Sequence, residues 1–187
     1  MKIRSIYFLL FLAATSLNSC NQDSSSAENE QISGAPEQIK IKEAWNASHE
    51  WVKQMTLSDT LIIRKTNWGV DISQIKESAE LAESQPHSGK SYSLYFDDSD
   101  LNFVDISYLA NAQGQLNEID LDIYLEENAQ VSELQKSIKE YFDVKFGTSK
   151  SVGKKTSWSQ NKNTQVEMED VSTSKDPGIK IVLKAKS

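Results

Sequence analysis

The chain has 187 residues, 20 of them basic and 27 acidic, for a net charge of −7. That balance disfavours nucleic acid and anionic lipid headgroups as partners of a folded domain, because both are recognised through basic patches. One cysteine, two histidines and seven scattered glycines leave no intrachain disulfide, no cysteine or histidine-rich metal set and no glycine-rich phosphate loop.

Lys2 and Arg4 form a short positive segment closed by Ser5. Ile6 to Ala14 is unbroken in its apolar character, and Thr15, Ser16 and Leu17 extend the run. At about 1.5 Å per residue the stretch spans roughly 20 Å, short of a ~30 Å hydrocarbon core. Charge, short apolar core and small residues together read as an export signal rather than a permanent span. The run ends in Leu17-Asn18-Ser19-Cys20.

Through Leu17, Ser19 and Cys20 the first twenty residues resemble a bacterial lipoprotein precursor. The resemblance implies a diacylglyceryl group on the Cys20 thiol, removal of residues 1–19 as a signal peptide, and acylation of the new amino terminus. Two or more acyl chains anchor stably, at about 0.8 kcal/mol per buried CH₂. The expected location is the bacterial cell envelope, at the outer membrane. Loss of residues 1–19 removes Lys2 and Arg4 and no acid, leaving 18 basic against 27 acidic groups, a net charge of −9. Residues 20–36 (from Asn21, NQDSSSAENEQISGAP) are too polar to offset their ordering entropy and are expected to be a disordered tether. Asp23, Glu28 and Glu30, soon after the cysteine, resemble surface-export signals of some Gram-negative lipoproteins. Residues 37–187 make one α+β domain of ordinary size.

The domain is expected to open with a helix over Glu37–Met55, its apolar stripe set by Ile41, Ala44, Trp45, Ser48, Trp51, Val52 and Met55. His49 lies off that stripe and reads as solvated. Asp59-Thr60-Leu61 resembles a short O-glycosylation motif of some Bacteroidota envelope proteins. Leu61-Ile62-Ile63 reads as a brief strand or buried connector. After a turn at Asn67–Val70, Asp71 or Ser73 is expected to cap a second helix to Leu81, with Ile72, Ile75 and Ala79 on its apolar side.

Three strands follow in the sequence: Ser91–Asp97, Phe103–Ala110 and Leu116–Glu126. The last alternates most strictly, with Ile119, Leu121, Ile123 and Leu125 on one face and Glu118, Asp120, Asp122, Tyr124 and Glu126 on the other. That pattern is a sheet with one buried and one wet side. Asn111–Gly114 supplies a hairpin. A third helix spans Ala129–Phe146, with Asn128 as N-cap and Gly147 as C-terminal glycine. Strands over 156–160, 164–171 and 179–186 close the chain, the last turn at Asp176-Pro177-Gly178. Glu167 and Glu169 are expected to meet Lys180 and Lys184 on the wet face.

The order is that of two αβββ units forming an antiparallel sheet, helices on one face, preceded by an N-terminal helix. Element order, Trp68-Gly69 and Phe146-Gly147 make it faintly similar to small outer-membrane assembly lipoproteins and to the secreted β-lactamase-inhibitor proteins. The similarity implies a fold only.

Two acidic stretches are the candidate sites. Asp98, Asp100 and Asn102 offer oxygens at alternate positions, as calcium loops do, but Phe103 stands where the loop glycine belongs and Leu109 where the bidentate glutamate belongs. On the strand, Glu118, Asp120, Asp122 and Glu126 sit about 6.5–7 Å apart along one face, a spacing used by inverting glycosidases. With no assembled catalytic set and no cofactor motif, the leading expectation is a non-catalytic binding domain for a protein or small envelope ligand. Tyr95, Tyr108, Tyr124 and Trp158 are candidate contact residues. A glycan-directed hydrolase on the acidic strand and a calcium-stabilised structural domain are the alternatives.

Overall fold

The computed structural model describes residues 35–186. The expected signal peptide, Cys20 and the expected tether up to residue 34 lie outside the described residues.

Helix α1 (Ala35–Ala47) starts at the tether's expected end, with Pro36 in the first turn, where a missing N–H costs nothing. The single helix expected to Met55 divides, and α2 spans Glu50–Thr56. Ser48 Oγ donates to the Trp45 carbonyl at 2.7 Å, and His49, at φ −54 and ψ 147, leaves the helical region. His49 is therefore half-buried and engaged rather than simply solvated: its Nδ1 accepts the Trp51 N–H at 3.2 Å, and its backbone N–H donates to Ser137 Oγ at 2.7 Å. The apolar period runs across the break because both short helices face the same core. Trp51 stacks on Phe96 at 5.0 Å between ring centroids, and Trp45 Nε1 donates to Thr56 Oγ1 at 2.9 Å.

No helix forms over 71–81. Asp71 accepts the Ser73 N–H at 2.8 Å and caps one 3₁₀ turn, Ile72–Gln74. The chain then runs extended into β1 (Glu80–Leu81). The reason lies in what the segment buries. Ile75 enters the core, and Glu77 turns inward as the counter-ion of Arg64. Arg64 Nε and Nη2 donate to the two Glu77 carboxylate oxygens at 2.9 and 2.6 Å, and Nη1 donates to the Gln54 carbonyl at 2.7 Å. The Tyr108 hydroxyl donates to Glu77 as well, and burial first, then Glu77, pushes that phenol well above its usual range. Arg64 and Lys65 adopt φ values of 47° and 61°, an unfavourable region for side-chain-bearing residues that persists only where surrounding contacts impose it.

The strands are β2 (Gly89–Tyr95), β3 (Phe103–Ala110), β4 (Leu116–Tyr124), β5 (Lys150–Val152), β6 (Lys155–Trp158), β7 (Thr164–Asp170) and β8 (Gly178–Ala185). They form an antiparallel eight-stranded sheet in the order β1-β2-β3-β4-β8-β7-β6-β5. Two four-strand meanders, joined by α3 (Asn128–Phe146), meet through their last strands, β4 and β8. The fold is α+β, but each half has four strands, and no helix precedes the first half's meander in the way an αβββ unit requires. In the first turn of α3 the cap is Glu127, not Asn128: the Glu127 N–H donates to Gln130 Oε1 at 2.9 Å, and Asn128 is the first helical residue.

One face of the sheet is buried. Val104, Ile106 and Tyr108 of β3, Ile119, Leu121 and Ile123 of β4, and Ile179, Ile181 and Leu183 of β8 pack with Val131, Leu134, Ile138, Tyr141, Phe142 and Phe146 of α3. Each fully buried side chain of this kind contributes about 1.5–3 kcal/mol. Trp158 is fully buried among them, edge-on to Phe142 at 5.5 Å. Its indole N–H donates to Asp143 Oδ1 at 2.9 Å. Among the described residues, no helix packs on the other face of the sheet.

Candidate functional site

The strand registers place the residues of this open face in rows. One row is aromatic: Tyr95, Phe103 and Tyr124, then Gly178. The next runs Ser93, Asp105, Asp122, Lys180, Glu169, Lys155. A third runs Ser91, Ser107, Asp120, Val182, Glu167, Ser157. The fourth holds Leu109, Glu118, Lys184 and Gln165.

Glu118, Asp120, Asp122 and Tyr124 thus share one face, as the alternation requires, but the carboxylates are not free. Lys180 Nζ sits 2.9 Å from Asp122 Oδ1 and 3.5 Å from Asp120 Oδ2. Lys184 Nζ is 3.1 Å from Glu118. The expected pairing of Glu167 and Glu169 with Lys180 and Lys184 does not form. Both lysines turn to β4, and Glu167 and Glu169 take Lys155 at 3.8 and 3.5 Å. Half-exposed pairs of this kind contribute about 0–1 kcal/mol each, so they shape the surface more than they stabilise it. Glu126 lies past the end of β4 and is exposed.

Asp120 is the least comfortable member. Its Oδ1 is buried with no hydrogen-bond partner. Burial raises its pKa, with Glu118 and Asp122 adding and Lys180 opposing. A carboxyl raised in the folded state destabilises it at high pH and ceases to do so below the unfolded value of 3.8. Asp120→Asn is therefore expected to raise the melting temperature at pH 7. The gain should vanish at about pH 3, as a thermal melt series across pH would show.

Two of the candidate contact residues, Tyr95 and Tyr124, lie on this face in a row with Phe103, which the sequence does not mark. Phe103 stacks on Tyr124 at 4.6 Å and leans on Tyr95 at 5.5 Å. Tyr95 and Tyr124 are each 42% exposed. Burial first, then Asp122 and Asp105, raises the Tyr124 hydroxyl pKa, so the row ends in a negative field. Tyr108 and Trp158 are fully buried and drop out as contact residues. The signal available in the sequence was the symmetric placement of Tyr95 and Phe103 about the 96–102 turn.

The proposed calcium loop is built differently. Asn102 is buried: its Nδ2 donates to Asp97 Oδ2 at 2.9 Å, and its Oδ1 accepts the Glu126 N–H at 3.0 Å. The oxygen that a cation would need is spent tying the β2–β3 turn to the end of β4. Asp98 and Asp100 are exposed. Among the described residues, no group of three or more His, Cys, Asp or Glu is arranged to hold a metal ion.

Nothing among family models, curated proteins or solved structures matches this chain.

Two clefts lie away from the open face. One, of about 570 Å³, is lined by Thr60, Trp68, Lys145, Asn161 and Asn163 among others. Burial lowers the Lys145 ammonium to about 8. Its donors are already directed at Tyr141 Oη at 2.9 Å and at the Ser58 and Asp59 carbonyls at 3.4 and 3.5 Å. Thr60, of the Asp59-Thr60-Leu61 motif, is exposed at its mouth. The other cleft, of about 460 Å³, is lined by Arg64, Lys65, Lys76 and Glu77, with Arg64 and Glu77 closed on each other as described. Among the described residues, no helix is long and apolar enough to cross a membrane.

Proposed function

We propose that the chain is a lipid-anchored lipoprotein of the bacterial envelope, at the outer membrane, held through Cys20 and lifted from the bilayer by residues 20–36. Its domain binds a partner protein, or a small envelope ligand, non-catalytically through the open face of the sheet. The observation that carries this reading is the composition of that face. Exposed aromatic rings stand beside rows of interleaved acids and lysines, uncovered by any helix of the described residues. Six strands at about 4.8 Å and four rows at roughly 6.5–7 Å make a patch of roughly 25 by 20 Å. Its area, about 500 Å² in projection, is of the order of one partner's share of a standard protein interface, about 800 Å² of accessible surface. Aromatic anchors among alternating charges are what such interfaces use for affinity and register.

The glycan-directed hydrolase is the second reading, and Asp120 with its raised pKa is the observation that favours it. Against it, an inverting pair needs space for a water between the carboxylates, and the Lys180 ammonium bridges Asp120 and Asp122. The double substitution Asp120→Asn and Asp122→Asn should leave the fold intact and the turnover of envelope glycans unchanged. Loss of a hydrolytic product with the fold intact would restore the enzyme.

The anchor is tested separately. Cys20→Ala should move the protein from the membrane fraction to the soluble fraction or arrest its maturation. Unchanged fractionation and unchanged mobility would remove the anchor.

A further inference from the structure

The aromatic row stops abruptly at β8. Tyr124 is covered on one side by Phe103, and on the other its strand neighbour is Gly178, which has no side chain. The next side chain beyond the gap is Val171, whose N–H donates to the Gly178 carbonyl at 3.1 Å. The result is a slot of about 130 Å³. Tyr124 and Val171 form its walls, Gly178 and Pro177 its floor, and Asp122 and Asp176 its ends. Any residue larger than glycine would narrow the floor: a Cβ at 178 would stand 2.9 Å from the Ile123 carbonyl oxygen and 3.5 Å from Val171 Cγ2.

Size and charge select the occupant. Small-molecule sites usually measure about 300–1,000 Å³. This slot holds the volume of about four waters, at about 30 Å³ each, which suits one long side chain. Its walls are apolar and aromatic and both its ends are carboxylates. Lys180 occupies one oxygen of Asp122, and the Thr173 hydroxyl donates to one oxygen of Asp176 at 3.1 Å, leaving an oxygen on each for a guest. Asp105 pairs with Asp122 across the β3–β4 ladder, and Glu126 and Glu127 follow one residue beyond Tyr124, after Leu125. The cations nearby are Lys180, bonded to Asp122, Lys154, whose Nζ donates to the Ser172 carbonyl at 3.5 Å, and Lys175, next to Asp176 in the chain. The whole protein is acidic as well.

Resting on the reading of the open face as a binding surface, we infer that the slot receives an arginine side chain of the partner protein. The guanidinium stacks on the free face of the Tyr124 ring, the stem lies over Gly178 against Val171, and Asp176 and Asp122 accept its N–H donors. A planar cation fits an aromatic wall and a paired carboxylate better than a compact ammonium does.

The test is an NMR titration of the detergent-solubilised full chain with the blocked peptide Gly-Arg-Gly, and with Gly-citrulline-Gly and Gly-Lys-Gly beside it. The arginine peptide should shift the Gly178 and Val171 amides in a saturable way. Citrulline should leave them unmoved, and lysine should bind more weakly than arginine. Tyr124→Ala and Asp176→Asn, both at exposed positions, should each weaken the arginine response by about tenfold with the remaining spectrum unchanged. Equal shifts from citrulline, or an arginine response that both variants leave intact, would overturn the assignment. Shifts confined to the Asp120 and Glu118 rows would overturn the slot while leaving the open face as the binding surface. Shifts confined to the helices would overturn both.

Discussion

Glu77→Ala is expected to lower the stability of the domain by about 3–5 kcal/mol, the cost of removing one partner of a buried ion pair. Arg64 exposes only 4% of its surface, and among the described residues Glu77 is the one carboxylate within salt-bridge distance of it. Without it, a guanidinium remains in the interior with only the Gln54 carbonyl, and the Tyr108 hydroxyl loses its acceptor. For a domain whose total stability is about 5–15 kcal/mol, that is a large fraction. At about 2–4 °C per kcal/mol the melting temperature should fall by roughly 10 °C. Glu77→Gln keeps an acceptor and should cost less. Urea unfolding of the three proteins checks the ranking. A Glu77→Ala protein within 1 kcal/mol of the parent would mean that the pair does not hold the 57–79 segment.

Asp143→Ala is the second large effect, at about 2–4 kcal/mol. Its Oδ1 accepts both the Trp158 indole N–H at 2.9 Å and the Ser149 N–H at 3.0 Å, and Oδ2 takes Lys139 Nζ at 2.6 Å. Trp158 has no access to water, so deleting the acceptor strands a buried donor at about 1–3 kcal/mol, with the loss of a charge-assisted bond added. Burial pushes the Asp143 carboxyl up, but the Lys139, Ser149 and Trp158 donors together hold it below the usual range. Its contribution is therefore fully present above the unfolded pKa of 3.8 and lost as pH falls through the lower folded value. The stability gap between the parent and Asp143→Asn should accordingly be full at pH 7 and narrow below about pH 4. A gap that stays constant from pH 7 to pH 2 would contradict the assignment.

The parts of this fold that show in the sequence are those set by local periodicity. Phe103–Ala110 alternates so strictly that β3 has the expected bounds, and the 3.6-residue stripe from Val131 to Phe146 marks α3 to within a residue of its start. Periodicity misleads where a long-range partner decides. Ile72, Ile75 and Ala79 suit a helix face, but Glu77 must reach Arg64 and Tyr108, and an extended segment allows this. The stripe across Trp45, Ser48 and Trp51 does not reveal that His49 caps a new helix, because the bond that fixes it comes from Ser137, 88 residues away. At the site, alternation put Glu118, Asp120, Asp122 and Tyr124 on one face. Their partners required the β4–β8–β7 order, which sets Lys180 between Asp122 and Glu169 and Lys184 between Glu118 and Gln165. The aromatic row required three strands to be aligned at once.

The most direct measurement of a binding role for the open face is photo-crosslinking in intact envelopes. A photoreactive residue is placed singly at Asp105, Ser107 or Glu167 on the sheet, and at Glu133, Lys136 or Glu140 on the outward side of α3. We expect a specific crosslinked species from the sheet positions and none from the helix positions. Crosslinks from the helix positions alone, or no specific species from any sheet position, would contradict a partner-binding sheet.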